Sequence, residues 1–331
     1  MIRFAVVGTN WITESFIDAG QKLEDFSLHA VYSRTEEKAK EFAKKYQVET
    51  IYTDLSELAK SNQIDAVYIA SPNSFHAKQA ITLMEHGKHV LCEKPIASNT
   101  KELEAMIQTA KENQVLLMEA MKTTFFPTFE SIKRNINKIG KIRRYFASSC
   151  KYSSRYDKYK EGIVLNTFNP IFSNGALMDM GIYCIYPAVT LFGEPISVKA
   201  NSVFLESGVD GEGSLLLQYE DMDAVIMYSK ITESSIPSEI HGENGRIVID
   251  KIHDIEKAEI HYLDGTIEDI TVPQEKNNMY YEINEFMNLI KNHQLESTVN
   301  SYEHSMITAQ IIEKARKEVG LIYPADKENG I

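Results

Sequence analysis

The chain has 331 residues, 43% apolar and 25% charged, a length that favours two hydrophobic cores and a composition ordinary for a globular protein. Its formal net charge of −12 argues against a nucleic-acid binder, which needs a clustered basic face. Cys92, Cys150 and Cys184 lie far apart with no Cys-x-x-Cys spacing, so neither a disulfide framework nor a zinc site is signalled. The sequence begins directly on a strand, and no apolar run approaches the roughly 20 residues that span a bilayer. A cytoplasmic location is therefore expected.

Arg3 to Val7 reads as a buried strand that runs into Gly8, and Trp11 onward has helical spacing. Strand, glycine turn and helix start are the arrangement that aims backbone N–H groups and a helix dipole at a pyrophosphate. Gly8, Asn10 and Thr13 occupy the three positions of the usual Gly-x-Gly-x-x-Gly/Ala fingerprint. Asn10 is expected to stand in for glycine because Asn tolerates positive φ, and Thr13 to loosen the helix–sheet packing slightly. Thr9, Trp11 and Ile12 complete the candidate phosphate turn.

Leu28 to Tyr32 reads as a second strand and Glu36 to Tyr46 as an amphipathic helix. An acidic residue after that strand would hold the ribose of NAD, whereas an Arg accommodates the 2′-phosphate of NADP. Here the residues are Ser33 and Arg34, with Lys38 one helical turn on, so NADP is expected and NAD is the alternative. Further strands are expected at 65–70, 87–92 and 115–118, with helices at 74–86 and 100–113. This alternation predicts a doubly wound parallel sheet over residues 1–121. Gly8, Ser33, the Ser71-Pro72-Asn73 turn, Lys94 and Glu119 fall at its carboxyl ends, where such sheets bind ligands.

Beyond residue 121 the pattern changes. A linking helix is expected at 128–139 and another helix at 174–192. Strand-like runs fall at 144–152, 198–205, 214–219, 224–229, 236–241, 246–250 and 258–263, spaced by turns such as Gly242-Glu243-Asn244-Gly245. Residues 122–331 are thus expected to form an α/β substrate and oligomerisation domain on a large, mostly antiparallel open sheet. Helices at 279–292 and 302–319 should pack back on the body.

Several stretches carry a family resemblance: Asp65-Ala66-Val67 to Pro72-Asn73 with His76, Gly87 to Pro95 including Glu93-Lys94-Pro95, Glu119-Ala120, and Gly175 to Tyr183. In this order and spacing they resemble the Gfo/Idh/MocA oxidoreductases. The Gly181-Ile182-Tyr183-Cys184 stretch and Phe125-Phe126-Pro127 are most similar to the dimeric dihydrodiol dehydrogenase and NADP-dependent xylose dehydrogenase branch. The resemblance implies a Rossmann domain, a second domain with an open sheet, homo-oligomerisation through that sheet, and hydride transfer to or from a sugar, polyol or cyclic diol. Related enzymes place an Arg five residues after the Glu matching Glu119; here Thr124 stands there, with Lys122 nearby.

Hydride transfer at a carbinol carbon needs a group that moves the hydroxyl proton. The resemblance casts Tyr183 in that role, and a nearby ammonium would lower its pKa from near 10; Lys94 would supply this charge and polarise the substrate oxygen. Asp179, four residues before Tyr183, is expected to share its helix face and to orient Lys94 or a substrate hydroxyl. Gly181 between them suggests close approach to a neighbour. His76 and Glu93 are expected to shape the nicotinamide side, and Lys122 and Asn169 to reach substrate. No residues group as metal ligands do. A packed core tyrosine at 183 and a helix-surface charge at 179 are the ordinary alternatives. A cofactor-sensing binding protein without turnover, and an enzyme that shuttles hydride between two sugars on a tightly held cofactor, are the competing functions.

Overall fold

The computed structural model describes residues 1–328, which divide into two compact units: residues 1–122 with 275–302, and residues 123–274 with the chain from 303 on. In the first unit, β1 (Ile2–Val7), β2 (Phe26–Tyr32), β3 (Thr50–Tyr52), β4 (Ala66–Ile69), β5 (His89–Glu93) and β6 (Leu117–Ala120) form one sheet. Its order is β3-β2-β1-β4-β5-β6 and every pairing is parallel. The connections are helical: α1 (Trp11–Gly20), α2 (Glu36–Lys45), α3 (Leu55–Lys60), α4 (His76–Met84) and α5 (Thr100–Glu112). The strand order reverses between β1 and β4, and a doubly wound sheet binds its ligand at that switch point.

β1 is buried on both faces, as expected of a strand between helical layers. Phe4 stacks on Phe26 at 4.8 Å between ring centroids, and Phe16 of α1 lies flat on Tyr68 of β4 at 3.9 Å. Phe286, from the returning segment 275–302, lies 6.1 Å from Phe4. Each such aromatic pair adds about 0.5–1.5 kcal/mol beyond its buried area, so α1 is fixed against β1 and β4 by its rings. The short β3 and α3 carried no sequence expectation: β3 is a three-residue edge strand, with Thr50 exposed and Ile51 and Tyr52 half-buried.

The second unit begins with α6 (Pro127–Asn135), which tightens into a 3₁₀ turn over Ile136–Ile139, so the expected linking helix is α-helical only as far as Asn135. Next come β7 (Ile142–Cys150), α7 (Tyr156–Lys160) and α8 (Ile182–Phe192). The strands that follow are β8 (Ser197–Phe204), β9 (Asp210–Gln218), β10 (Asp223–Ser229), β11 (Ser238–Gly242), β12 (Gly245–Ile249), β13 (Ala258–Tyr262) and β14 (Ile267–Asp269). They form an eight-stranded sheet in the order β14-β13-β12-β11-β7-β10-β9-β8, antiparallel except for the central β7–β10 pair.

Alternate residues on one face are fully buried, among them Tyr145, Leu215, Ile226, Ile240 and Ile260, and the Tyr145 hydroxyl donates to Cys184 O of α8 at 3.2 Å. The other face is accessible, with Leu216 55% and Val203 51% exposed. The helix expected at 174–192 begins as a π-helical turn, Leu177–Gly181, before α8 proper. Residues 170–192 form a segment long and apolar enough to cross a membrane, yet 72% of its apolar 18-residue window is buried as core. After α9 (Met279–Lys291) in the first unit, α10 (Tyr302–Val319) and α11 (Pro324–Glu328) close the chain. A buried ion pair, Arg316 Nη1 to Asp326 Oδ2 at 2.7 Å, joins the last two helices.

Candidate active site

At the end of β1 the chain turns at Gly8 with φ +114°. A Cβ there would stand 2.8 Å from Ala70 O at the end of β4, so only glycine lets the two strand ends approach this closely. Asn10 corrects the sequence expectation, for its φ is −109° and it acts as the N-cap of α1. Its Oδ1 accepts from Ile12 N and Thr13 N at 3.0 and 3.2 Å, while its Nδ2 donates to Ala70 O at 2.8 Å. A cap of this kind is worth about 1 kcal/mol, and here it also ties the helix start across the switch point. Thr13 is fully buried, and Thr9 and Ile12 are half-buried. Trp11, at the helix start, is 67% exposed.

At the end of β2, Ser33 is buried and its amide donates to Tyr52 O. Arg34 is exposed, with its guanidinium 5.9 Å from the centre of the Phe75 ring, and Lys38 is exposed on α2. No carboxylate follows this strand before Glu36. A glycine-only turn, a helix N-terminus at the switch point and a cation at the end of β2 fit a dinucleotide with a 2′-phosphate.

The ends of β4, β5 and β6 are cross-linked. His76, 1% exposed, places Nδ1 3.0 Å from Pro95 O and Nε2 2.8 Å from Ser71 O. It thus holds the Ser71-Pro72-Asn73 turn to the Glu93-Lys94-Pro95 turn. Burial pushes its pKa down, the two carbonyls oppose this, and the Lys94 charge adds to the fall. Ser71 Oγ donates to Gln79 Oε1 at 2.6 Å, and Asn73 is buried. Glu93 accepts from the Tyr68 hydroxyl and from Lys94 N, and the Lys94–Pro95 peptide is cis. Glu119, 2% exposed, accepts from Ile96 N at 3.1 Å, which braces the same turn from β6. His76, Glu93 and Glu119 are therefore placed as supports for Lys94, which is half-buried. Lys122 Nζ donates to Asn278 Oδ1 at 2.8 Å.

In the second unit, Asp179 lies in the π-helical turn and Tyr183 one step into α8. The π turn thus lies directly before the α-helical turn that carries Tyr183; π turns of this kind recur at functional sites. Gly181 provides the anticipated close approach, since a Cβ there would meet the Tyr228 ring at 3.3 Å and Leu177 Cδ1 at 2.9 Å. Asp210, fully buried, accepts from Leu177 N at 2.6 Å and so caps the turn. Burial raises its pKa to about 6, against the backbone N–H groups and Lys230, which lower it. Asn169 Oδ1 accepts from Ile171 N, which makes it the cap of the Pro170–Phe172 turn.

Two residues absent from the sequence expectations flank this helix. Lys230, 3% exposed, donates to Asp179 Oδ2 at 2.5 Å and to Thr167 Oγ1. The strand register carried its signal: Ala224, Ile226 and Tyr228 face the buried side of β10, and Lys230 continues that parity. His253, from the loop after β12, has its ring 6.1 Å from that of Tyr183 and Nδ1 3.5 Å from Ser149 Oγ. It also lines a cavity of about 680 Å³ with Cys150, Lys151 and Asp254. Nothing in its sequence surroundings marks it.

Comparison with known proteins agrees with this fold. A model of an oxidoreductase family with an NAD-binding Rossmann fold, GFO/IDH/MocA, matches residues 2–121, and that family's C-terminal domain model matches residues 135–248. The chain is 57% identical over 327 residues to scyllo-inositol 2-dehydrogenase (NADP(+)) IolU of Bacillus subtilis, covering 99% of this chain and 100% of the relative. It is 30% identical over 341 residues to trans-1,2-dihydrobenzene-1,2-diol dehydrogenase of Xenopus tropicalis, covering 97% and 99%. The fold is also that of KijD10, a 3-ketoreductase from Actinomadura kijaniata, with a TM-score of 0.83 at 22% identity over 96% of this chain and 98% of that one.

Proposed function

We propose, for a chain that belongs to the GFO/IDH/MocA family of NAD(P)-dependent oxidoreductases, that it uses NADP to interconvert a CH–OH and a ketone on a cyclic polyol of the inositol kind. The observation that carries this reading is the 57% identity over 99% of the chain to an NADP-dependent inositol dehydrogenase. Arg34 at the end of β2 supports the cofactor choice.

The residue roles are these. The N-terminus of α1 receives the diphosphate, and Arg34 with Lys38 pairs with the 2′-phosphate. Bound NADP supplies the carbon that accepts the hydride. Tyr183, acting as its phenolate, takes the proton of the substrate hydroxyl and becomes the phenol as the hydride leaves, Lys94 polarises that oxygen, and Asp179 accepts a hydrogen bond from a neighbouring hydroxyl. A multiply hydroxylated ring suits such a set because it offers Asp179 a donor next to the reacting carbon, and a substrate lacking that hydroxyl forgoes the hydrogen bond.

We also assign a homodimer through the accessible face of the eight-stranded sheet, where Leu216 and Val203 are exposed; a sedimentation mass of one chain would remove that assignment. The three free cysteines suit the reducing cytoplasm.

The test is turnover of scyllo-inositol, myo-inositol and an acyclic polyol with NADP⁺ and with NAD⁺. NADP⁺-dependent oxidation of a cyclic polyol is expected, and Tyr183→Phe should lower kcat by about 10²–10⁴-fold while NADPH binding is unchanged. Intact NADPH binding with no turnover of any cyclic polyol overturns the substrate class. Wild-type kcat in Tyr183→Phe overturns the role of that hydroxyl.

A further inference from the structure

The Asp179–Lys230 pair is graded in depth. The lysine side chain is 3% exposed and the aspartate 37%, so the anion is the member that a ligand can reach. Lys230 is fixed at both ends. Its backbone N–H donates to Gly211 O at 2.9 Å and its carbonyl accepts from Ser153 N at 2.9 Å, which pins the residue just past β10. Its ammonium is held between Thr167 Oγ1 and Asp179 Oδ2, 5.5 Å from the centre of the Phe168 ring. A buried ammonium persists only when paired and hydrogen-bonded, and this one has a hydroxyl, a carboxylate and an aromatic face around it. Beyond these partners, the buried Asp210 of β9 interacts electrostatically with Lys230, and Tyr228 of β10 with Asp210 in turn.

We propose that Lys230 is a positioning residue for Asp179: it locks the carboxylate in one rotamer and holds it as an anion, so that Asp179 presents a fixed hydrogen-bond acceptor to a hydroxyl of the substrate beside Tyr183. The proposal rests on the reading of Tyr183 and Asp179 as the substrate-handling residues. Thr167 spaces the ammonium so that it serves Asp179 from behind. An acceptor fixed in this way discriminates among ring polyols by the configuration of the hydroxyl next to the reacting carbon, because only a donor in the matching direction satisfies it.

The test is a double-mutant cycle on the full-length protein with NADP⁺ and the cyclic polyol. Lys230→Met is expected to lower kcat/KM by about 10²-fold, chiefly through KM, and Lys230→Arg to recover most of that loss. In an Asp179→Asn background the same Lys230→Met change should cost less than about 3-fold, because a residue that acts through Asp179 has nothing left to position. Equal costs in both backgrounds overturn the proposal. An arm independent of turnover follows the Asp179 carboxyl by ¹³C NMR. Its titration midpoint should move to higher pH in Lys230→Met and less so in Lys230→Arg; identical midpoints overturn the proposal.

If Lys230→Met does not fold, Thr167→Val, which removes the hydroxyl that holds the ammonium, carries both arms, and wild-type kcat/KM with an unmoved Asp179 midpoint in that variant overturns the assignment. Failure of the underlying reading shows differently: the carboxyl midpoint still moves with Lys230, but Asp179→Asn turns over at the wild-type rate.

Discussion

The Tyr68 hydroxyl donates to Glu93 Oε1 at 2.5 Å, while Glu93 Oε2 accepts from Lys94 N at 3.2 Å. One carboxylate thus connects the middle of β4 to the residue that the proposed chemistry uses. Tyr68→Phe keeps the ring that stacks on Phe16 and deletes only the donor. It should cost about 1.5–3 kcal/mol, the range for a hydrogen bond to a charged group, read in urea unfolding. It should also lower kcat while leaving NADPH affinity within twofold. Unchanged stability would show that Glu93 finds another donor.

Glu282 of α9 is 1% exposed, and burial, followed by the charge of Glu93, raises its pKa well above the usual carboxylate range, with Lys122 opposing. With the folded value above the unfolded one, the native state keeps a proton that the unfolded state has released. Stability therefore falls as pH rises above the unfolded carboxyl range. Glu282→Gln mimics the protonated form and removes this dependence. Its advantage should be near zero at pH 4 and should grow by up to about 1.4 kcal/mol per pH unit above that range. Thermal melts from pH 4 to pH 8 measure it, and an offset that does not vary with pH would refute the buried-acid account.

Arg34 offers a cofactor test with a built-in probe, because the single tryptophan, Trp11, sits exposed at the start of α1. Arg34→Ser should weaken NADPH by about 10–100-fold, the scale of a lost charge-assisted phosphate contact, and change NADH little. Quenching of Trp11 fluorescence reads both. Equal weakening of the two cofactors would place Arg34 away from the 2′-phosphate.

Much of the first unit was legible because its strands are short apolar runs that end in turn residues, and because Gly8 must be glycine where β1 and β4 converge. The role of Asn10 was not, since a helix cap and a positive-φ residue draw on the same amino acid, and only the backbone conformation, φ −109° here, separates them. Residues 174–192 read as one helix because the run is apolar on nearly every side, which removes the periodicity that would distinguish an α from a π turn. Edge strands β3 and β14 have three residues each, too few to show alternation. Tyr183 and Asp179 were visible through family resemblance, and Lys230 could have been found by extending the parity of β10 one step. His253 could not, because its place beside Tyr183 comes from a loop more than sixty residues distant in sequence.

The first unit is not finished where its first 122 residues end. Phe286 comes to Phe4 only after the polypeptide has been extended through the entire eight-stranded sheet. During synthesis a nascent chain therefore displays the ring of Phe4 without its late partner until α9 emerges. A gene fragment cut at the apparent boundary repeats that unfinished state permanently, and an isolated nucleotide-binding module would have to be made by splicing 275–302 directly onto 1–122.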